Sequence, residues 1–239
     1  MKKDFKEFYR DPKYVEKYEP IFIETPGGKY IHDVESSAIA SLLPSGDSIV
    51  IELPSGTGRF SRSLSKEVNN LIVMDSSFPM LKKTLQRVSA PAANALATSL
   101  PLADGSVGGF VTIRLFHLLS RDEIFLFLGE VRRTLNKGGF FIFDINHDIG
   151  MCKALKYYQR TKATFTNWPN MTFVNPKEMK KILNSMGFQV HRIEKRFVIQ
   201  TGVLRLAKFL HKMIFQLDRF LQNKCSDFCT KSYWLVTLK

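Results

Sequence analysis

A glycine-bearing turn that follows a hydrophobic strand is the clearest chemical feature of the sequence. Residues 49–60 read IVIELPSGTGRF, an apolar run that ends in Glu52 and continues into a turn holding Gly56 and Gly58. Glycines let the backbone approach a ligand closely, and the helix expected after the turn offers unpaired amides at its N-terminus. Glu52 supplies an anion suited to a ligand ammonium. The stretch predicts a ligand site at the carboxyl edge of a sheet, although such turns occur in several nucleotide-binding folds.

A second acid follows at the spacing of a βαβ unit. The apolar run 71–75 ends in Asp75, which lies 23 residues after Glu52. A carboxylate there can accept hydrogen bonds from both hydroxyls of a ribose, and helix capping is the simpler alternative. NAD is a competing ligand, but its fingerprint requires a third glycine three residues after Gly58, where the sequence has Ser61.

Short apolar runs that alternate with amphipathic segments must position these residues. Runs buried on both faces are typical of parallel strands covered by helices. Ser120 begins a capping box that opens a helix expected to close at Gly138, and Asn175 caps a helix expected to end at Gly187. The expected strands are 48–53, 71–75, 109–114, 139–145, 188–198 and 232–238.

Four further motifs occur in a meaningful order. They read DSSFPML, LATSLPLADGS, FVTIRLFHLL and LNKGG, and they occupy residues 75–81, 96–106, 110–119 and 135–139. With the glycine turn, they resemble the class I S-adenosylmethionine (SAM)-dependent methyltransferases. The resemblance continues more weakly through residues 175–190 and 233–239, so it covers most of the chain. Its variable N-terminal lid is matched by Tyr14, Tyr18, Gly28 and Lys29.

This resemblance implies SAM as the cofactor and a role for each matching residue. Glu52 would lie near the methionine amino group, Gly56 and Gly58 beneath the methionyl chain, and Asp75 on the ribose. Arg114, at the end of the fourth strand, would face the cofactor or the acceptor. The remaining members of the implied cofactor site are Leu53, Pro54 and Ser55 in the turn, Ser76 after Asp75, Met80 and Ala97 beside the adenine, and Tyr18 in the lid.

Two positions depart from the family pattern. Pro54 replaces the first glycine of the turn, which fixes φ near −65° and removes an amide donor. Leu96 stands where the family often has an acid that binds the adenine amino group, and Asn94 is a substitute two residues earlier. These departures motivate an alternative hypothesis, a non-catalytic or weakly SAM-binding module.

The resemblance also implies the architecture. We expect one α/β domain, a Rossmann-like three-layer sandwich with a seven-stranded, mostly parallel sheet whose last strand is antiparallel. Residues 1–45 would form the lid and first helix, residues 46–150 the SAM-binding core, and residues 151–239 a basic C-terminal part. The 239 residues are within the size range of one such domain.

Transfer of a methyl group from a sulfonium is an in-line displacement, which requires alignment of donor and nucleophile and exclusion of water. A general base is not strictly required. His117 and Arg114 are nevertheless candidate catalytic residues, since His117 follows the fourth strand and is able to orient an acceptor or take a proton. Packing is the competing role for His117.

The net charge of +13 is concentrated in the C-terminal third. Residues 1–150 hold 18 Lys and Arg against 18 Asp and Glu, whereas residues 151–239 hold 17 against 4. Such a field favours an anionic partner, for example a phosphorylated metabolite, an acidic lipid surface or RNA, and a solubilising surface is the alternative. We expect a small-molecule or lipid-like acceptor, with RNA methylation as a further alternative.

An amphipathic helix is predicted at 203–221, with apolar residues on one face and basic residues largely opposite. It would roof the acceptor pocket, rest on an anionic membrane, or simply pack on the sheet. The sequence has no signal-peptide core, and Cys152, Cys225 and Cys229 form no disulfide framework or metal site, so we expect a cytoplasmic protein without a metal.

Overall fold

A seven-stranded sheet organises the computed structural model, which describes residues 5–18, 20–147, 172–199, 201, 204 and 210–239. The strands are β1 (Ile49–Glu52), β2 (Asn70–Asp75), β3 (Ala92–Asn94), β4 (Val107–Thr112), β5 (Leu135–Asn146), β6 (Phe188–Arg196) and β7 (Lys231–Leu238). Their order is β3-β2-β1-β4-β5-β7-β6. Pairing is parallel from β3 to β5, and β7 is antiparallel to both β5 and β6. The predicted fold class is confirmed.

Helices cover both faces of this sheet. The helices are α1 (Phe5–Arg10), α2 (Pro12–Tyr18), α3 (Pro20–Ile23), α4 (Pro26–Leu42), α5 (Ser61–Glu67), α6 (Phe78–Leu85), α7 (Arg121–Thr134), α8 (Pro176–Ser185) and α9 (His211–Lys224). Side chains of α7 and α8 join one apolar core with the sheet, and side chains of α4, α5 and α6 join a second core on its other face. The result is a three-layer α/β sandwich.

The central strand β4 shows why the sheet requires particular residues. All six of its residues are buried, as expected for a parallel strand covered on both sides. A Cβ at Gly109 would lie 2.3 Å from the Phe140 ring on β5. Glycine at this position therefore lets a large aromatic side chain pack directly over the neighbouring strand.

Several predicted boundaries differ from the observed ones. The helix opened by Ser120 ends at Thr134 rather than at Gly138, because Leu135 is already extended and pairs with Val107. Gly138, with φ +76°, instead lies within β5. The short strand β3 had no counterpart among the predicted runs. By contrast, the helix capped by Asn175 ends as predicted, with Gly187 at φ +84° just beyond it.

The C-terminal part contains one further difference. The strand expected to reach residue 198 ends at Arg196, because Phe197 has φ +60° and its carbonyl accepts hydrogen bonds from the Thr230 amide and hydroxyl. Residues 203 and 205–209 of the helix predicted at 203–221 lie outside the described residues, as does Cys152. The described helix of this region is α9. Among the described residues, no helix combines the length and apolar character needed to cross a membrane.

Candidate active site

A cleft opens at the carboxyl ends of β1, β2 and β4, beneath the N-terminal helices. It encloses about 1000 Å³ of empty space when its open mouth is included. Most residues of the predicted cofactor site line it. They are Tyr18, Pro54, Ser55, Gly56, Asp75, Ser76, Met80, Ala97 and Arg114.

Asp75 joins two walls of the cleft. Its Oδ2 accepts a hydrogen bond of 2.8 Å from the Gly56 amide, and its Oδ1 accepts one of 2.8 Å from the Ser77 amide at the start of α6. Burial raises the pKa of the Asp75 carboxyl to about 6, although these amides oppose the shift. The acid therefore holds the glycine turn against the helix that follows β2, and it is ionised at neutral pH.

Glu52 lies behind the glycine turn rather than in the cleft lining. Its side chain is buried and accepts a hydrogen bond from the Ser61 hydroxyl. Burial raises the pKa of Glu52 to about 8, with only partial opposition from Ser61. The carboxyl is therefore mostly protonated at neutral pH, which differs from the anion expected beside a ligand ammonium.

Leu53 and Gly58 also lie outside the lining. Leu53 is part of the apolar core. Gly58 has φ +79°, and a Cβ there would lie 3.0 Å from the Thr84 Cα on α6. Gly58 thus permits the close approach of the turn to the helix, whereas Gly56, with φ +58°, has open space where a Cβ would be.

Thr57 is a cleft residue that the sequence did not single out. It is 2% exposed, and among the described residues its hydroxyl has no hydrogen-bond partner. A buried hydroxyl without a partner is unfavourable unless a ligand or water satisfies it. The glycine turn, the Asp75 carboxylate and this hydroxyl together fit a polar, nucleoside-containing cofactor.

The adenine side of the predicted site is mainly apolar. Met80, Leu96 and Ala97 line the cleft there. Asn94, the predicted substitute for the missing acid, does not line the cleft, and its amide donates to the Asp75 carbonyl at 2.8 Å. Asn94 therefore supports the backbone of β2, and Leu96 stands at the surface of the cleft in its place.

The N-terminal helices form a lid of aromatic residues. Tyr9 and Tyr18 line the cleft, and their rings meet edge to face with centroids 5.7 Å apart. The Ser77 hydroxyl donates to the Tyr9 carbonyl, which ties α1 to the start of α6. The other predicted lid residues, Tyr14, Gly28 and Lys29, are not in the lining, and Gly28 forms the first turn of α4 through the Thr25 cap.

A buried ionic cluster lies beside the lid. Glu35 of α4 is completely buried and accepts hydrogen bonds from Arg59 at 2.6 Å and from Lys231 at 2.7 Å. Lys231 also pairs with Asp144 at 2.5 Å. Burial alone would raise the pKa of Glu35, but Lys231, Arg59 and Arg114 hold the pKa of Glu35 well below its usual value. Glu35 is therefore an anion inside the protein.

The sequence contained one signal of this cluster. Glu35 falls on the apolar face of α4, in register with Ile31, Ala38 and Leu42, which are all buried. An acid on such a face requires either a buried cation or a proton and a hydrogen-bond partner. Its partners come from a distant strand and from the glycine turn, so the pattern along α4 does not identify them.

Arg114 is held in an unusual conformation at the end of β4. Its φ is +64°, a left-handed conformation that costs a non-glycine residue about 1–3 kcal/mol. Its amide donates to Asp144 Oδ1 at 2.5 Å, and its side chain lies 5.0 Å from the centre of the Phe22 ring in the lid. The guanidinium lines the cleft, as expected for a residue that faces the cofactor or the acceptor.

His117 is placed differently from Arg114. It is 6% exposed, lies in the short 3₁₀ turn Phe116–Leu118 and does not line the cleft. Its carbonyl accepts a hydrogen bond from the Thr172 amide at 2.9 Å. This position favours the packing role of His117 over the catalytic one.

These features define a class of protein. A parallel α/β sheet with a glycine turn after β1, an acid at the end of β2 and a cleft at the carboxyl edge is built to bind a nucleoside-containing cofactor. The comparisons with known proteins agree, since residues 51–143 match a family model described as a methyltransferase domain. No curated protein matches the chain significantly in sequence.

Solved structures of methyltransferases share the fold over almost the whole chain. One is a SAM-dependent methyltransferase of Thermotoga maritima, described as a possible histamine N-methyltransferase, with a TM-score of 0.70 and 19% identity over 97% of this chain and 99% of that one. A second is magnesium protoporphyrin IX methyltransferase of Synechocystis, with bound S-adenosylhomocysteine (SAH). Its TM-score is 0.68 and its sequence identity 10%, over 98% of this chain and 97% of that one. A third is phosphoethanolamine N-methyltransferase 1 of Haemonchus contortus, in complex with phosphoethanolamine and SAH. Its TM-score is 0.66 and its sequence identity 16%, over 98% of this chain and 48% of that one.

Residues 51–143 therefore match a methyltransferase domain, and the described residues have the fold of the class I SAM-dependent methyltransferases, as the sequence motifs predicted. SAM is the cofactor of this family of domains.

Proposed function

We propose that this methyltransferase transfers the methyl group of SAM to a small-molecule or lipid-like acceptor at the lid end of the cleft, the part lined by Tyr9, Tyr18 and Arg114. The observation that carries the proposal is one continuous cleft, whose lining extends from Asp75 and the glycine turn to Arg114 and the two tyrosines. Donor and acceptor can therefore share one enclosed space, which is the main requirement for methyl transfer.

The proposed roles follow from the contacts of each residue. When bound, SAM supplies a methyl group that its positively charged sulfur makes electrophilic. Asp75, ionised at neutral pH, would accept hydrogen bonds from the ribose hydroxyls, and the Thr57 hydroxyl would gain the partner that it lacks. Met80 and Ala97 would pack beside the adenine. Pro54, Ser55, Gly56 and Ser76 would complete the contact surface, as they line the same wall.

The lining beyond the glycine turn favours an acceptor with an apolar part. Apolar side chains also line the cleft, namely Phe60, Ile113, Leu115, Leu118 and Leu119. The acceptors named for the solved methyltransferases differ widely, from a porphyrin to phosphoethanolamine, so none of them is carried over to this chain. The proposal therefore rests on the lining of the cleft, and it specifies only a small-molecule or lipid-like acceptor.

Calorimetric titration of the purified protein with SAM and with SAH tests the proposed function. Both ligands are expected to bind, because the carboxylate and turn that hold the nucleoside are already in place. The absence of binding of either ligand at millimolar concentration would defeat the proposal and leave a module that has kept the fold without the cofactor.

Restoring glycine at Pro54 tests whether the altered turn has weakened the site. Because Asp75 and Thr57 supply the polar contacts, SAH affinity is expected to change by less than about threefold in Pro54→Gly. A gain of about tenfold or more would instead reveal a decayed site. The titration used for the wild-type protein provides the measurement.

A further inference from the structure

We propose that Arg114 binds an anionic group, a carboxylate or a phosphate, of the methyl acceptor. The proposal rests on the proposed function and makes it more specific, since it assigns a charge to the acceptor. Its basis is the balance of charges in the buried cluster next to the lid end of the cleft.

Among the described residues, the cluster contains more cations than acids. Arg59, Arg114 and Lys231 face two acids, Glu35 and Asp144. The oxygens of Glu35 accept hydrogen bonds from Arg59 and Lys231. Those of Asp144 contact Lys231 and the Arg114 backbone amide. Each carboxylate oxygen therefore already has a close partner that is not the Arg114 side chain, and Arg114 carries the surplus charge.

The side chain of Arg114 is poorly satisfied where it lies. Among the described residues, its nearest acid is Glu35, which lies 3.6 Å from the guanidinium, beyond hydrogen-bond distance. Its Nε is buried, and the described residues provide no hydrogen-bond partner for it. A guanidinium satisfies carboxylates and phosphates through two parallel hydrogen bonds. An anion in the cleft would supply the hydrogen-bond acceptors that the Arg114 side chain lacks among the described residues.

Position favours the acceptor over the cofactor as the source of this anion. Arg114 lies against the lid, over the ring of Phe22 and next to the cleft residues Tyr9 and Tyr18. The carboxylate of SAM is a second source of the same chemistry. A different unsatisfied donor, the Thr57 hydroxyl on the glycine turn, is available for the amino-acid part of the cofactor.

The first experiment compares two matched probes. The protein, saturated with SAH, is titrated calorimetrically with decanoate and with decanol, which differ in charge but have the same chain length. Decanoate is expected to bind at least tenfold more tightly, because only its head group pairs with Arg114. Equal affinities, or no binding of decanoate, would overturn the proposal, whereas failure of SAH to bind would overturn the proposed function instead.

Variants then locate the effect. Arg114→Met should weaken decanoate at least tenfold, whereas Arg62→Met, the same change at an exposed position, should leave it unchanged. Arg114→Lys, which keeps the charge without the planar fork, should retain part of the affinity and serves if the Met variant does not fold. Retention of full decanoate affinity by the Met variant would contradict the assignment.

Cofactor titrations distinguish the two sources of the anion. SAH carries a carboxylate and 5′-methylthioadenosine does not, so their affinities for Arg114→Met are compared with those for the wild-type protein. Both are expected to change by less than about threefold. A loss of about tenfold or more for SAH alone would show that Arg114 binds the carboxylate of the cofactor, which would overturn the proposal.

A separate observation concerns the outer surface of α9. Leu210, Met213, Leu217 and Phe220 are exposed by 48–60% and recur at helical spacing, so they form an apolar stripe at the protein surface. This stripe is not the face that packs on the protein. Asp218 on the inner face accepts a hydrogen bond of 2.8 Å from the Tyr30 hydroxyl of α4.

We infer that this stripe docks α9 on an anionic lipid surface. The charges around the stripe are complementary to such a surface, since Lys212, Arg219 and Lys224 are exposed, whereas Asp218, the acid of this helix, is buried. An exposed apolar row with a basic edge is typical of helices that lie at the membrane interface. The apolar face predicted for the helix at 203–221 included Leu210 and Leu217, and both are exposed in the structure.

Vesicle flotation tests the inference. The protein is expected to float with vesicles that contain phosphatidylglycerol and not with phosphatidylcholine vesicles. Met213→Ser/Phe220→Ser should lower the bound fraction at least tenfold, whereas the control Phe125→Ser/Leu126→Ser, a pair of exposed apolar residues on α7, should not. Vesicle binding that persists in Met213→Ser/Phe220→Ser would contradict the inference. So would light scattering that shows a dimer for the wild-type protein and a monomer for this variant, because the stripe would then be a dimer interface.

Discussion

Two glutamates near the cleft are both buried but differ in charge, since one is an anion and the other is mostly neutral. Glu35, 0% exposed, is an anion because Lys231, Arg59 and Arg114 surround it, whereas Glu52, 3% exposed, has a hydroxyl as its close partner and a pKa of about 8. Depth of burial therefore does not decide the charge. The cofactor end of the cleft is built from backbone amides and protonated or amide-bound acids, and the lid end from side-chain ions.

The strongest way to break this comparison is to remove the charge of Glu35. Glu35→Gln leaves Lys231, Arg59 and Arg114 with one acid fewer, so the free energy of unfolding should fall by about 3–5 kcal/mol. Urea denaturation provides the measurement. Glu67→Gln, at an exposed position, is the control. Similar stability of the two variants would mean that the cluster does not hold α4 on the sheet.

At the cofactor end, the corresponding change is Asp75→Asn. The two carboxylate oxygens of Asp75 accept hydrogen bonds from the backbone amides of Gly56 and Ser77. The Asn side chain has a single acceptor oxygen, so it cannot keep both of these bonds and also accept from a ribose. SAH affinity should fall about 10–100-fold, which corresponds to the loss of hydrogen bonds to a charged group. Calorimetry measures it, with the exposed Asp122→Asn as the control. Unchanged affinity would remove Asp75 from the proposed site.

The pH dependence of stability sharpens the contrast between the two glutamates. Glu52 in the folded state keeps its proton up to about pH 8, whereas in the unfolded chain it loses the proton near its usual pKa. The folded state then binds more protons, so the contribution of Glu52 to stability falls as pH rises, by up to about 1.4 kcal/mol per pH unit. The stability of Glu52→Gln relative to that of the wild-type protein should therefore increase between pH 5 and about pH 8.

Denaturation of both proteins at several pH values measures this difference, in which the other titrating groups cancel. A stability difference between the two proteins that stays constant from pH 5 to about pH 8 would show that Glu52 is already ionised in the folded state. The opposite sign is expected of Glu35, whose pKa is depressed, so its contribution is lost as pH falls below the usual range of a glutamate.

The smallest effect concerns the backbone of the glycine turn. Gly58→Ala and Gly105→Ala both place a Cβ at positive φ, at a cost of about 1–2 kcal/mol each. The Cβ at residue 58 also meets the Thr84 Cα at 3.0 Å, whereas that at residue 105 meets open space. Gly58→Ala should therefore be the less stable variant in thermal unfolding, and equal stability would deny the close approach of the turn to α6.

Local patterns sufficed for the cofactor end. The apolar strand, the glycines and Asp75 act through backbone conformation and through neighbours on one βαβ unit, so their order along the chain predicted both the fold class and the family. They did not predict the position of Glu52 behind the turn, because Ser61 covers it only once α5 packs against β1.

The ionic cluster at the lid end of the cleft could be identified only from the tertiary structure. Glu35 and Lys231 are 196 residues apart in the chain, yet they form one buried ion pair with Asp144 and Arg114 close by. No periodicity relates these residues, since they meet only because the sheet brings β4, β5 and β7 side by side under α4. The sequence determined that a SAM-type cleft exists, and the folded arrangement decided which charges line the place proposed for the acceptor.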